Sequence, residues 1–497
     1  YLIDREGGKI SLLNNSSYFR VSFILCLFFT NVAFLQIPAY CFLIILAFWG
    51  IYLTIRNIVK YKAYKKMEFG LWAMAFLGVN LITALIHITD NFLTNMLFFI
   101  FVMVCFFVFY GAYIEKSTGI KHELYTVARI FLYMVTLMQV VGIACLVFNV
   151  SYHNEWIDLI VYENRFTGLF INPNLCGFAS VFVVFCVHIL TIHKFDSKYS
   201  ALPATSRIWL ASGLFINILT LFLCDSNASM VLFLGYVIVF VVTKFITSRG
   251  DYKKKQLILR FLSTLVAGVV IICCTYFLRS ICQIGVSTLI NSNSNIIISD
   301  SDVASNITTV LPENSDVTFE HENSNVDSGR FTLWNQAMTI FSHHPVMGIG
   351  KGNILSYSYK YIDGGMHFAN LYSGDFASMF ATFTTDIHNA YITILVCSGV
   401  IGFLLFMIFA FRNGVSITKY LFRKGKELEH GIFPCLFSFI VSYLVFACFE
   451  KALVFDISFM VIIFWFILGQ IMCYNVREKE EPLKEFSFKE SVRKNLL

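Results

Sequence analysis

The chain has 497 residues, of which 57% are apolar and only 14% charged, with a mean hydropathy of +0.71. Soluble proteins carry about 25% charged residues, and a soluble fold of this length has no interior able to hide 54 Phe. Disorder, fibrous repeats and a disulfide-stapled secreted module are excluded on the same ground, which leaves a polytopic membrane protein.

A helix crosses about 30 Å of hydrocarbon with about 20 apolar residues. Twelve such runs are expected, near 19–36, 38–55, 69–88, 96–114, 124–150, 173–192, 208–224, 229–247, 257–278, 387–411, 432–449 and 458–474. They lack the two-residue alternation of barrel strands. The expected fold is therefore an all-α polytopic membrane protein with about 12 transmembrane helices. Helices one to nine occupy 1–278, an extracytoplasmic loop 279–386, helices ten to twelve 387–474, and a cytoplasmic tail 475–497.

Lys and Arg are retained in cytoplasmic loops, and their distribution places both termini inside. Outside that arrangement leaves only Arg165, Arg279, Arg330, Lys351, Lys360 and Lys451 of the 37 basic residues. The net charge of +6 thus averages a basic inner face and an acidic outer one. The inner face reads as a contact for anionic lipid headgroups, and no aromatic-interleaved basic stripe points to nucleic acid. The 14 Cys sit in or beside the apolar runs without paired spacing outside, so no structural disulfides are expected. No cleavable leader is evident, and the first run is expected to act as an uncleaved anchor; the sequence starts at Tyr1, not Met.

The outer loop begins with a Ser/Asn/Asp-rich stretch, expected to be flexible over 291–327 because it has too few large apolar residues to order itself. A surface helix is expected over 328–344. Asp327 or Ser328 would cap it, and Phe331, Trp334, Met338 and Phe341 would share a lipid-facing side. His343, His344 and Pro345 close it, and PVMGIGKGN follows with Gly348, Gly350 and Gly352. That GxGxG pattern follows no strand, so a dinucleotide fold is not expected.

No nucleotide triphosphate is supplied outside the membrane, so a synthetic reaction there needs a preactivated donor, of which a lipid-linked pyrophosphate is the obvious form. Arginine grips phosphate oxygens in pairs, and cations are scarce on this face. Arg165 opens RFTGLFINPN. Asn172 is a good cap and Pro173 a good first helical residue, and with Asn174 they would direct free N–H groups outward beside Arg165 as an anion site. The alternative is a lone arginine beside a capped helix. Arg330 stands at a helix start, where the dipole disfavours a cation unless an anion is near; otherwise it is a solvated charge. His388, in DIHNAY, could take a proton from an attacking hydroxyl, with Asp386 and Asn389 to orient it, or could be an interfacial polar residue. Lys351 reads as a phosphate contact or plain loop. Glu450, Lys451 and Asp456 read as a solvated turn. No HExxH, CxxC or paired-carboxylate pattern is present, His87 and His367 form none, and no catalytic metal or other cofactor is expected.

Taken in order, RFTGLFINPN before a span, DSGRFTLW and HHPVMGIGKGN in a large outer loop, and HNAY leading to Gly399–Val400–Ile401–Gly402 resemble the O-antigen ligase and polymerase family, over roughly 160–410. The resemblance implies an inverting, metal-independent glycosyltransferase of the bacterial cytoplasmic membrane with its active face extracytoplasmic. It would move an oligosaccharide from undecaprenyl pyrophosphate to an acceptor hydroxyl. Arg165 and Arg330 would hold the pyrophosphate and His388 would act as base. Asn172, Asn174, Lys351, Arg279 and Asn389 are the further substrate-binding candidates. The donor, the acceptor and membrane lipids are the expected partners, with a chain-length regulator and a flippase beyond them. The family commonly has a Ser-Arg pair where this chain has Asp225–Ser226–Asn227–Ala228–Ser229, so one phosphate ligand is missing, and Arg279 or Lys351 would have to replace it. A polymerase of lipid-linked repeat units is favoured. A ligase of the finished glycan is the rival, and a transporter is disfavoured because the span interiors are almost uncharged.

Overall fold

The structure, a computed structural model, describes residues 12–115, 120–148, 150, 152–153, 158–162, 164–196, 205–248, 254–293, 319, 329–366 and 386–480. Most of the segment expected to be flexible (294–318 and 320–327), the loop 367–385 with His367, and the tail beyond 480 lie outside the described residues.

Each of the twelve apolar runs falls on a helix. In chain order these are α1 Ser16–Phe29, α2 Gln36–Val59, the short α3 Ala63–Lys66, α4 Gly70–Ile86, α5 Phe92–Val104 and α6 Ile120–Val147, then α7 Pro173–Asp196, α8 Arg207–Leu223, α9 Asn227–Ser248 and α10 Lys254–Asn293. The two outer-loop helices are α11 Arg330–His343 and α12 Ile354–Tyr361. The last three are α13 Ala390–Lys424, α14 Phe433–Phe446 and α15 Phe459–Glu480. Among the described residues, eight helices are long and apolar enough to cross a membrane; α1, α4, α8 and α14 are apolar but shorter. The centre is α15, whose Phe459 and Trp465 meet Phe131 and Phe178 on one side and Phe106 and Tyr110 on the other. Arg20 on α1 is fully buried and donates through both Nε and a terminal nitrogen to Glu123 on α6. That pairing is how a guanidinium survives there.

The chain departs from the expected pattern in four places. It is not purely α: an antiparallel sheet of β1 Tyr152–His153, β2 Asp158–Tyr162 and β3 Arg165–Gly168 lies between α6 and α7, with β3 buried. Second, α10 does not stop at 278 but continues to Asn293, so Arg279 lies within a helix, not at the start of a loop. At ~1.5 Å per residue this helix outruns the hydrocarbon about twofold.

Third, α11 carries a second apolar face that the expectation did not include: Leu333, Ala337 and Ile340 are fully buried in the protein, while Phe331 (61% exposed) and Met338, of the side expected to face lipid, stay exposed. The helix docks on α13 through its smaller side chains, and the indole of Trp334 donates to the Ile387 carbonyl at 3.1 Å. Its cap is Gly329, at φ 76°, with no side-chain hydrogen bond to the cap; Asp327 and Ser328 lie outside the described residues.

Fourth, α13 is broken at Gly399 (φ 64°, ψ −175°). A break strands carbonyls on one side and N–H groups on the other. The segment Pro345–Gly350 satisfies both sets: Ile349 and Gly350 donate to the carbonyls of Val396 and Cys397, at 3.1 and 2.9 Å. Val400 and Ile401 donate to the carbonyls of Pro345 and Val346, at 2.8 and 3.3 Å. A Cβ at Gly399 would stand 2.2 Å from the Val346 oxygen, and one at Gly348 2.5 Å from the Cys397 carbonyl. The two glycine motifs, fifty residues apart, are therefore two halves of one joint. Irregular backbone of this kind is tolerated near lipid only when buried in protein.

Candidate active site

Two polar clusters collect the candidate residues. In the first, Arg165 on β3 is 6% exposed. Its Nε donates to the Cys224 carbonyl at 3.0 Å and a terminal nitrogen to Asn174 Oδ1 at 2.7 Å. Asn172 precedes α7 and accepts the Asn174 N–H at 2.7 Å, so the expected helix start at Pro173 is observed, but that N–H points at Asn172 and not outward. The Asn174 carbonyl accepts from Ser229, whose hydroxyl also accepts from Ser226 at 3.0 Å. Asn172 and Asn174 thus tie Arg165 to the Asp225–Ser229 turn. Arg279 reaches the same turn from α10 and pairs with Asp225, which also accepts from Gln283 at 3.2 Å. Two arginines therefore flank a turn that carries none.

In the second cluster, His388 adopts φ 49°, a conformation that a non-glycine residue holds only under constraint. The constraint is visible on both sides. Asp386 Oδ1 accepts the His388 N–H at 2.8 Å, and Asn389 then caps α13 by accepting from Tyr391 and Ile392, both at 3.0 Å. Asn389, a substrate-binding candidate from sequence, thus spends its side-chain oxygen on the helix cap. The His388 ring is turned so that Nδ1 lies 3.1 Å from Asp386 Oδ2 and 3.3 Å from Glu450 Oε2. Arg330, at the start of α11, stands with a terminal nitrogen 3.6 Å from Glu450 Oε1. Lys451 lies 3.3 Å from Asp456 and 3.9 Å from Asp386. Lys351 is buried, close enough to feel Lys451, Asp386 and Asp456.

The electrostatics follow from this crowding. Burial alone would lower the His388 pKa, but Asp386 and Glu450 outweigh it and hold the ring above the ordinary imidazole value. Burial would raise Asp386, yet His388, Lys451 and Lys351 hold it below the usual carboxylate range. Lys351 is pushed down by burial and by Lys451. Of the nine side-chain atoms buried without a hydrogen-bond partner among the described residues, three belong to this cluster: Arg330 Nε, Glu450 Oε1 and Asp456 Oδ2. Unmet capacity of that kind is costly unless something else fills it.

Asp386, His388 and Glu450 offer ligand atoms within 4.8 Å of one another, a spacing a metal ion could bridge. Arg330 already faces Glu450, and Lys451 faces Asp386. The carboxylates are thus matched by the protein's own cations, and a divalent ion would add positive charge to a balanced site.

Glu450 and Asp456 are 4% and 5% exposed, so the turn expected to be solvated is the buried wall of the site. The missed signal was the apolar run Ala452–Leu453–Val454–Phe455 between the charges; it is buried throughout, and a solvated turn has no use for it.

Both clusters lie at one end of the bundle. Gly235 on α9 faces Ser442 on α14, and Lys244 of α9 reaches the Glu429 carbonyl just before α14. The helices are therefore antiparallel, and the Asp225–Asn227 turn lies at the end where α14 leads to Glu450. The Ala390 N–H donates to the Ala447 carbonyl at 2.9 Å, holding the His388 segment at that same end.

Residues 212–407 match the family model described as O-antigen ligase. The matched stretch includes the Asp225 turn, Arg279, Arg330, Lys351, His388 and the Gly399 break. It excludes Arg165, Asn172, Asn174 and Glu450. No curated protein matches the chain.

Proposed function

We propose that this chain, similar over residues 212–407 to the O-antigen ligase family model, joins oligosaccharide repeat units carried on undecaprenyl pyrophosphate at the outer face of the cytoplasmic membrane. The observation that carries the reading is the placement of His388 Nδ1 between Asp386 and Glu450, with Arg330 against the far oxygen of Glu450.

A neutral imidazole whose Nδ1–H is held by carboxylates presents Nε2 as its base. Nε2 removes the proton of the acceptor hydroxyl as that oxygen bonds to the anomeric carbon. The bond from that carbon to the pyrophosphate oxygen breaks on the opposite face, which inverts the centre. Leaving charge develops on the carrier pyrophosphate, where preorganised guanidinium groups act most strongly. Arg330 supplies one, with its unpartnered Nε available; Arg165 and Arg279 supply the others from the neighbouring cluster. Lys351 adds charge from a buried position, and both termini lie in the cytoplasm.

A ligase that transfers the finished glycan to another acceptor would share this chemistry, and 'O-antigen ligase' is the description the matched family model carries. Carrier-linked glycans from a deletion strain separate the two. A polymerase leaves single repeat units on the carrier; full-length chains stranded there would overturn that reading in favour of the ligase.

A further inference from the structure

Two charges at the wall of the site, Lys451 and Asp456, have no part in the reaction as proposed. They lie on the loop between α14 and α15, on either side of the buried run Ala452–Leu453–Val454–Phe455. That loop is pinned at two points. The Ala447 carbonyl accepts the Ala390 N–H of α13 at 2.9 Å, and the Leu453 carbonyl accepts the indole N–H of Trp465 on α15 at 2.8 Å.

Asp386 spends both carboxylate oxygens on His388. Oδ1 accepts the backbone N–H at 2.8 Å, and Oδ2 faces ring Nδ1 at 3.1 Å. A buried carboxylate used in this way needs a counter-charge to stay ionised. His388 cannot supply it while acting as a base, because a base is neutral. Lys451 can: its ammonium stands 3.9 Å from the same Oδ2 and 3.3 Å from Asp456 Oδ1. Burial would lower the Lys451 pKa, but Asp456 and Asp386 outweigh it and hold it above the ordinary ammonium value. Lys351 is the poorer counter-ion, since burial and Lys451 push it down.

Resting on the reading of His388 as the base, we propose that Lys451 is a positioning residue: seated on Asp456, it keeps Asp386 anionic and turned toward Nδ1, so that Nε2 is the nitrogen presented to the acceptor hydroxyl. Among the described residues, the charged groups facing His388 are Asp386, Glu450 and Arg330. Lys451, Lys351 and Asp456 stand behind Asp386, and Tyr40 of α2 is close enough to feel Lys451 and Asp456. Removing a cation from this set raises the His388 pKa, and removing an anion lowers it.

The test is an NMR titration of the purified full-length chain in micelles, with ring-labelled histidine and the His388 signal assigned from His388→Ala. Lys451→Gln should raise the His388 midpoint by about one pH unit, and Asp456→Asn should lower it by about as much. Loosened packing alone would move both the same way. In the neutral ring the proton should sit on Nδ1 in wild type and in Lys451→Arg, and be shared between the two nitrogens in Lys451→Gln. A midpoint unmoved or moved the wrong way in either folded variant, or a proton kept on Nδ1 in Lys451→Gln, would overturn the assignment; Asp456→Asn decides alone if Lys451→Gln does not accumulate. Rates on carrier-linked glycans from a deletion strain test the reading beneath it. An acid limb that ignores shifts of the expected sign would remove His388 as the base, and with it the role proposed for Lys451.

Discussion

The guanidinium of Arg279 pairs with the carboxylate of Asp225, joining the middle of α10 to the turn that opens α9. Asp225 is 6% exposed, and the Cys224 carbonyl beside it takes a hydrogen bond from Arg165. A turn without an arginine of its own thus has one on either side.

If Arg279 only neutralises Asp225, removing both charges together should be harmless. If it also grips pyrophosphate, the double change should restore the protein but not the reaction. Arg279→Gln alone should lower abundance, since it leaves a buried carboxylate unpaired. Arg279→Gln/Asp225→Asn should recover abundance on an immunoblot while polymer yield stays at least tenfold below wild type. Recovery of yield would reduce Arg279 to a structural partner.

Arg330→Lys tests geometry at constant charge. A lysine ammonium is a point charge and cannot reproduce the paired hydrogen bonds of a guanidinium. Most polymer should disappear at normal protein level; a variant with near-normal chain yield would contradict the role of Arg330.

His388→Ala should cost about 10²–10⁴ in rate if the imidazole is the base. The pH profile carries a second test. A base works when neutral, so activity rises as pH climbs through the His388 pKa. That pKa is held up, against burial, by Asp386 and Glu450, with Arg330 opposing them. Glu450→Gln removes one raising charge and leaves the lowering one, so the acid limb should move to lower pH. Asp386→Asn should move it in the same direction. An unshifted limb in both variants would mean that another group titrates.

Gly399→Ala places a methyl 2.2 Å from the Val346 carbonyl oxygen at a φ of 64°. The joint between α13 and the 345–350 segment should fail, with loss of folded protein in size-exclusion chromatography. Gly414→Ala, lower on the same helix with nothing within 4 Å, should be tolerated. Equal behaviour of the two variants would show that the break is not required.

Hydropathy alone placed the apolar helices, because lipid imposes one requirement on every residue of a crossing helix and that requirement is local. The start of α7 at Pro173 after Asn172 was legible for the same reason: a cap is read from adjacent residues. The scarcity of outer cations singled out Arg165 and Arg330, and the DIHNAY segment singled out His388. Other features depend on contacts between segments far apart in the chain. The buried face of α11, formed by Leu333, Ala337 and Ile340, was set by the elements it packs on, α12 and α13. The break at Gly399 needed the 345–350 segment to accept and return its hydrogen bonds. Arg279 became a neighbour of Asp225 only because α10 lies along that turn. Glu450 and Lys451 looked like surface charge until the bundle closed over them, since burial, and with it the value of a charge, belongs to the fold and to no residue by itself.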